Sequence, residues 1–119
     1  MRFEKKADCY LDTKTGLEWS LGNCGLAPWD KALELCVNMK GAWGLPSIEE
    51  LLTLVDYERF NPATELPGML SSDYWSSTTI AYNTSHAWSV CFNYGHDYSD
   101  YKSDSYYVRA VRNGARRLK

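Results

Sequence analysis

The stretch from residue 74 to residue 112 limits the possible folds of this chain of 119 residues more than any other part of it. It consists of short runs in which apolar and polar side chains alternate, separated by turns rich in Gly, Asn, Asp and Ser. The run at residues 86–93 alternates most strictly and predicts a strand with Trp88, Val90 and Phe92 on one buried face. The stretch therefore predicts several short antiparallel strands joined by turns.

Further strands are predicted on both sides of that run. Residues 74–78 and 97–101 are each expected to form a short strand, and residues 106–112 one continuous final strand. In the first half, residues 9–20 predict two short strands around a turn at residues 12–16. Asp, Thr and Gly in that turn favour tight backbone geometry.

Two helices are predicted between these groups of strands. Residues 29–40 carry apolar side chains at helical spacing, and Pro28 suits a first helical turn because no amide hydrogen is needed there. Residues 44–56 form the second predicted helix, in which Ser47 and Glu50 have the spacing of a capping box. Two helices followed by a group of strands predict an α+β fold with a small antiparallel sheet.

Length and charge narrow the remaining choices. The length predicts a single domain over residues 1–119, ending in a basic tail at residues 113–119. A net charge of −2 argues against nucleic acid and against a membrane surface as partners. No run of about 18 apolar residues predicts a transmembrane helix. Residues 1–10 lack the apolar core of a signal peptide. We therefore expect a cytoplasmic protein if Met1 is the native start, and an extracellular one if the sequence is an excised domain.

Four cysteines are present, at Cys9, Cys24, Cys36 and Cys91. Their spacing lacks the close pairs typical of a zinc site. Four cysteines allow three pairings, and the sequence does not distinguish them. Because no export signal is visible, reduced thiols are the favoured state.

Seven segments, taken in order, resemble the Lcl C-terminal domain family, a group of bacterial domains related to C-type lectins. They are DTKTGLEW at 12–19, PWDKAL at 28–33, LPSIEELLTLVDY at 45–57, NPA at 61–63, YWSSTT at 74–79, AWSVCF at 87–92 and YYVRAVR at 106–112. The resemblance implies a C-type-lectin-like fold, with two helices flanking a small antiparallel sheet and long loops that present a binding surface. Related domains bind glycans, including sulfated glycosaminoglycans, or proteins. Some members from phage and retroelement systems tolerate extensive variation at the equivalent of residues 79–106.

The chain departs from the family pattern at two positions. Gly44 stands where the family usually has Arg, and Ala110 stands where many members have Cys. The usual partner of that cysteine resembles Cys36, so Cys36 is expected to be unpaired here. The lost pair favours a reducing compartment.

Residues 93–107 hold five Tyr, three Asp and one His. Tyr, Ser, Asp and Asn are the residue types that binding loops favour, because they combine broad rigid contact with adaptable hydrogen bonds. The alternative interpretation is a solvated hairpin whose Tyr rings cover the sheet. The residues predicted to bind a partner are Asn83, Tyr94, His96, Tyr98, Asp100 and Tyr101. Asn83 also begins a glycosylation sequon, which we interpret as a polar turn.

Other chemistries are less well supported. Calcium could use Asp97, Asp100 and Asp104, but their spacing is loose and the Glu-Pro-Asn motif of lectins is absent, so no cofactor is predicted. His86 and His96 lack a recognisable triad arrangement. The basic residues Arg109, Arg112, Arg116, Arg117 and Lys119 are interpreted as structural arginines followed by a solubilising tail.

The leading hypothesis is a non-enzymatic recognition module that binds through loops between residues 79 and 105. We expect a protein partner, for instance as a small phage or mobile-element inhibitor. A lectin-like domain that binds a glycan or glycosaminoglycan is the alternative. An enzyme related to formylglycine-generating enzymes is the third hypothesis, disfavoured because Cys91 has no cysteine near it in sequence. The sequence does not fix the oligomeric state.

Overall fold

A computed structural model describes residues 1–113. Two short helices and two mainly antiparallel sheets form a small α+β fold. The strands are β1 (Phe3–Lys5), β2 (Tyr10–Asp12), β3 (Leu17–Trp19), β4 (Leu26–Ala27), β5 (Asp73–Thr79), β6 (His86–Cys91), β7 (His96–Tyr101), β8 (Tyr106–Tyr107) and β9 (Val111–Asn113). The helices are α1 (Trp29–Val37) and α2 (Ile48–Leu52). One sheet has the order β1-β2-β3-β9, and the other has the order β4-β8-β5-β6-β7.

The expectation of a single sheet flanked by helices is wrong. The predicted final strand at residues 106–112 divides into β8 and β9, which belong to different sheets. Between them, Val108 accepts a backbone hydrogen bond from Cys24, and Ala110 accepts one from Ser20. The alternation of apolar and polar residues correctly predicted that Val108 and Ala110 lie in the core. This alternation carries no information about strand pairing, so the sequence did not indicate the change from one sheet to the other.

The helix α1 begins at residue 29 as predicted, and α2 begins at Ile48, directly after the predicted cap Ser47 but four residues later than the predicted start at residue 44; both helices end earlier than predicted. Pro28 precedes α1, and Ser47 caps α2 in a complete capping box with Glu50. After α2 the backbone tightens, because Leu54 and Val55 donate to carbonyls only three residues back. Within residues 1–113 neither helix is long and apolar enough to cross a membrane.

Two core clusters lie on opposite faces of the five-stranded sheet. Adjacent residues of β5 separate them: Tyr74 belongs to the cluster that includes Leu51 of α2, and Trp75 to the cluster that includes Cys36 of α1. Adjacent side chains of a strand point to opposite faces, so β5 is covered on both sides at Tyr74 and Trp75. The indole nitrogen of Trp75 donates to the Ala27 carbonyl across 2.9 Å, which ties β5 to β4.

The predicted core position of Trp88 is wrong, since its side chain is half-buried and lies outside both clusters. Its cross-strand neighbour is Ser99, a small residue on the exposed strand β7, which gives the indole little cover. Ala87 and Ser89, on the other face of β6, are fully buried instead.

Arg109 and Arg112 are structural, as predicted, and both are buried. Arg109 donates to the carbonyls of Ser20 (2.7 Å) and Pro67 (2.9 Å). The rest of the predicted basic cluster, residues 116, 117 and 119, and residues 114–119 of the predicted tail lie outside the described residues.

Candidate functional site

The strand β7 forms one edge of the five-stranded sheet and carries four of the six predicted binding residues. It pairs with β6 from His96 opposite Cys91 to Tyr101 opposite His86, and within residues 1–113 no strand pairs with its outer edge. Six residues at the usual rise of a strand span about 17 Å. Only Asp100 of β7 is even partly buried.

The predicted residues fall on both faces of this strand. His96, Tyr98 and Asp100 lie opposite Cys91, Ser89 and Ala87 on one face, and Tyr101 lies opposite His86 on the other. Tyr94 precedes the strand in the β6–β7 turn, and Asn83 lies in the β5–β6 turn. The six residues therefore form a stripe along the edge of the sheet rather than a pocket.

Gly95 fixes the β6–β7 turn against the loop that follows α2. Its φ is +89°, and an added Cβ would lie 2.5 Å from Cγ1 of Val55. Asn61 donates its backbone N–H to the Asn93 carbonyl across 3.0 Å. The contacts with Val55 and Asn61 therefore fix the backbone of the turn that carries the exposed Tyr94 side chain. The Tyr94 ring lies 6.5 Å from the His96 ring.

At the other end of the strand, Tyr101 packs on His86 with ring centroids 4.2 Å apart. The backbone N–H of Lys102 donates to the Ser85 carbonyl, which binds the end of β7 to the β5–β6 turn. In that turn Asn83 accepts the hydroxyl proton of Ser85 through Oδ1 and the backbone N–H of His86 through its carbonyl. The side chain of Asn83 therefore helps to form this turn, in agreement with the interpretation of the sequon as a polar turn.

Asp100 differs from the other predicted residues because both its carboxylate oxygens are engaged within the chain. Oδ2 accepts from the hydroxyl of the buried Ser89, and Oδ1 accepts from the Tyr106 hydroxyl across 3.0 Å. Burial, reinforced by the Asp100 carboxylate, raises the pKa of Tyr106 well above its usual range. The Asp100–Tyr106 contact links β7 to β8 across β6 and β5, so Asp100 positions the strand.

The acidic residues of this region do not converge on an ion site. Asp97 and Asp100 are on opposite faces of β7. In the described part of the chain no three His, Cys, Asp or Glu side chains are grouped closely enough to hold a metal ion.

Two aromatic side chains were missed as candidates. Tyr82 is among the most exposed side chains of the described residues and precedes Asn83 in the same turn. His86 supports the Tyr101 ring. The Tyr-Asn pair in a turn could have indicated Tyr82, whereas the His86 contact depends on the pairing register and had no sequence signal.

The fold and this edge define a small two-sheet α+β domain with an aromatic edge strand. The model of the Lcl C-terminal domain matches residues 8–112, nearly the whole chain, so the chain belongs to that family, as the motifs indicated. No curated protein matches the chain.

Proposed function

We propose that this chain is a non-enzymatic recognition module that binds a protein partner along β7. One observation carries the proposal: an edge strand of six residues presents Tyr on both of its faces and is anchored at both ends. Tyr94, Tyr98 and Tyr101 are 63%, 49% and 59% exposed. Large Tyr rings held by a rigid backbone give contact area at low entropic cost.

The edge favours a protein over other ligands. An extended segment of a partner can pair with an exposed edge strand through main-chain hydrogen bonds, while side chains on alternate positions supply specificity. Tyr98 and Tyr101 on opposite faces would then flank the added strand. We propose, as one instance of this binding, that the protein acts as a small phage or mobile-element inhibitor.

A glycan is the second candidate, because the exposed Tyr faces combine an apolar ring with a hydroxyl. The C-type-lectin-like relationship implied by the family resemblance supports it. Calcium-dependent binding is part of this second candidate only.

A pull-down from the native host tests the proposal. The bait is the full chain, compared with a Tyr94→Ala/Tyr98→Ala/Tyr101→Ala variant and with Val37→Ala, which removes exposed apolar surface from α1. We expect the triple variant to bind the captured protein at least about 30-fold more weakly, since central Tyr residues of interfaces often contribute 2 kcal/mol or more. Val37→Ala is expected to bind as the wild type does.

The captured partner is then measured against purified Tyr98→Ala and Tyr101→Ala singly, to separate the two faces of β7. Equal capture by wild type and the triple variant would remove β7 as the binding site. A glycan array with and without calcium runs in parallel. Glycan binding that the triple variant abolishes, with no captured protein, would replace the protein with the glycan.

A further inference from the structure

We propose that the protein partner of β7 contributes a positively charged extended segment, rich in Arg or Lys. This inference rests on the proposed function, in which β7 is the binding edge. Its starting point is the uneven distribution of charge along the chain. The segment from the end of α2 to the end of β8, residues 53–107, contains seven Asp or Glu and two Lys or Arg, a net charge of −5. The other residues carry eight acidic and eleven basic side chains, a net charge of +3.

Two carboxylates on or next to β7 are exposed to solvent. Asp97 is the second residue of β7, and Asp104 lies three residues beyond the end of the strand. Within residues 1–113 neither carboxylate accepts a hydrogen bond or forms an ion pair. A partner can therefore pair with both without breaking a contact inside the chain.

The two basic side chains of residues 53–107 are engaged elsewhere. Lys102 follows β7 directly, but its Nζ atom lies 4.0 Å from the centroid of the Trp29 ring. Arg59 lies in the loop that contacts the β6–β7 turn, and it pairs with two acidic residues of its own loop at 3.3 Å and 3.7 Å. Neither cation compensates the two exposed carboxylates.

The hydroxyl of Tyr106 lies in the resulting negative field. Burial raises the pKa of Tyr106, and the hydrogen-bonded Asp100 and the charges of Asp104 and Asp73 raise this pKa further. Carboxylates from β5, from β7 and from the β7–β8 turn therefore act together on this part of the sheet.

A basic strand fits the edge better than other occupants do. An Arg guanidinium can pair with a carboxylate and stack on an aromatic ring, and the exposed ring of Tyr101 lies on the same face of β7 as Asp97. Like charges disfavour pairing between the β7 edges of two copies of the chain. Sulfate and phosphate groups are repelled in the same way, which disfavours an anionic ligand.

A library of random peptides of about 12 residues, displayed on phage, tests which charge the edge selects. The target is the full chain at about 0.05 M salt. Peptides that bind the Tyr94→Ala/Tyr98→Ala/Tyr101→Ala variant equally well are discarded, because they bind elsewhere. We expect the remaining peptides to be enriched in Arg and Lys over the unselected library and to carry a net positive charge.

A selected peptide is then synthesised, and its Kd is measured for the wild type and for Asp97→Asn/Asp104→Asn. Glu34→Gln is the matched control, because it removes an exposed carboxylate on α1. The double variant should bind about tenfold more weakly at about 0.05 M salt and less than about twofold more weakly at about 0.5 M, because salt screens exposed charges. Glu34→Gln should bind as the wild type does.

The possible failures separate the two proposals. Neutral or acidic peptides that depend on the three Tyr residues would overturn the basic partner and leave β7 as the binding edge. Equal affinity of a selected peptide for the wild type and the double Asp variant would also overturn the basic partner alone. If no peptide depends on the three Tyr residues, β7 is removed as a binding edge, and the proposed function fails with it.

Discussion

The Nε atom of Arg112 donates to Oε1 of Glu18 across 2.6 Å, joining β9 to its neighbour β3. The same guanidinium donates to Asp8 across 2.7 Å and lies 4.2 Å above the Trp43 ring. Its side chain is only 2% exposed. One arginine therefore connects the last described strand with three separate parts of the chain.

Replacing Arg112 with Ala should destabilise the fold strongly. Removing one member of a buried ion pair typically costs 3–5 kcal/mol, because the partner charge stays behind without compensation. Since Asp8 is largely exposed, we expect the lower end of that range, about 3 kcal/mol, by urea unfolding. Lys31→Ala, which breaks an exposed pair with Glu34, is the control and should change stability by less than about 0.5 kcal/mol. Equal effects of the two changes would contradict the structural role of Arg112.

Asp12 should make the fold sensitive to acid. Burial disfavours its carboxylate, but hydrogen bonds from Arg2, Thr15 and the Lys14 backbone outweigh this and hold the pKa of Asp12 below its usual value. A depressed pKa means that the stabilisation is complete above about pH 3.9 and is lost as the pH falls through the folded-state value. Urea unfolding of the wild type and Asp12→Asn between neutral and acidic pH measures this. The variant should be about 2 kcal/mol less stable at neutral pH, and the difference should shrink in acid. A difference that is constant with pH would remove the charge of Asp12 as its cause.

Gly95→Ala should be more harmful than Gly16→Ala. Both glycines have positive φ, but the new methyl at residue 95 would meet Val55, whereas nothing lies within 4 Å at residue 16. We expect a loss of about 1 kcal/mol at residue 16 and about 3 kcal/mol at residue 95. Adding Val55→Ala should recover part of the Gly95→Ala loss in a double-mutant cycle. Strictly additive losses would show that the contact with Val55 does not matter.

Tyr106 should ionise at a higher pH than is usual for a tyrosine side chain. Burial and the nearby Asp100 carboxylate raise its pKa, so its contribution to stability is complete below about pH 10 and is lost as the pH rises through the folded-state value. Ultraviolet titration of the wild type and Tyr106→Phe identifies this group by difference. Asp100→Asn should lower the midpoint of that difference. A midpoint that does not move would mean that burial alone causes the shift.

Local chemistry in the sequence predicted much of the scaffold. The capping box at Ser47, the turn at residues 12–16 and the alternation around Val90 each depend on neighbours in the chain, and all three are present in the structure. Long-range pairing was not predictable in this way. Nothing within residues 106–112 indicates which strands pair with its first half and which with its second half. The division of the strands into two sheets was therefore not predicted.

The candidate surface was predicted as a set of residues but not as a shape. Tyr94, Tyr98 and Tyr101 stand out by composition, and the structure exposes all three. That Tyr101 faces away from Tyr98, and that Asp100 bonds to Ser89 and Tyr106, depends on the register of β7 against β6.

The position of β7 at the margin of the sheet has a consequence for how this domain can change. None of its six side chains belongs to either core cluster. Apart from Asp100, they can be exchanged without removing a core contact, so the partner specificity that we propose for this edge can diverge while the scaffold keeps its stability. A library randomised at these exposed positions should therefore contain mostly folded proteins, which makes the edge a starting point for selecting new binders.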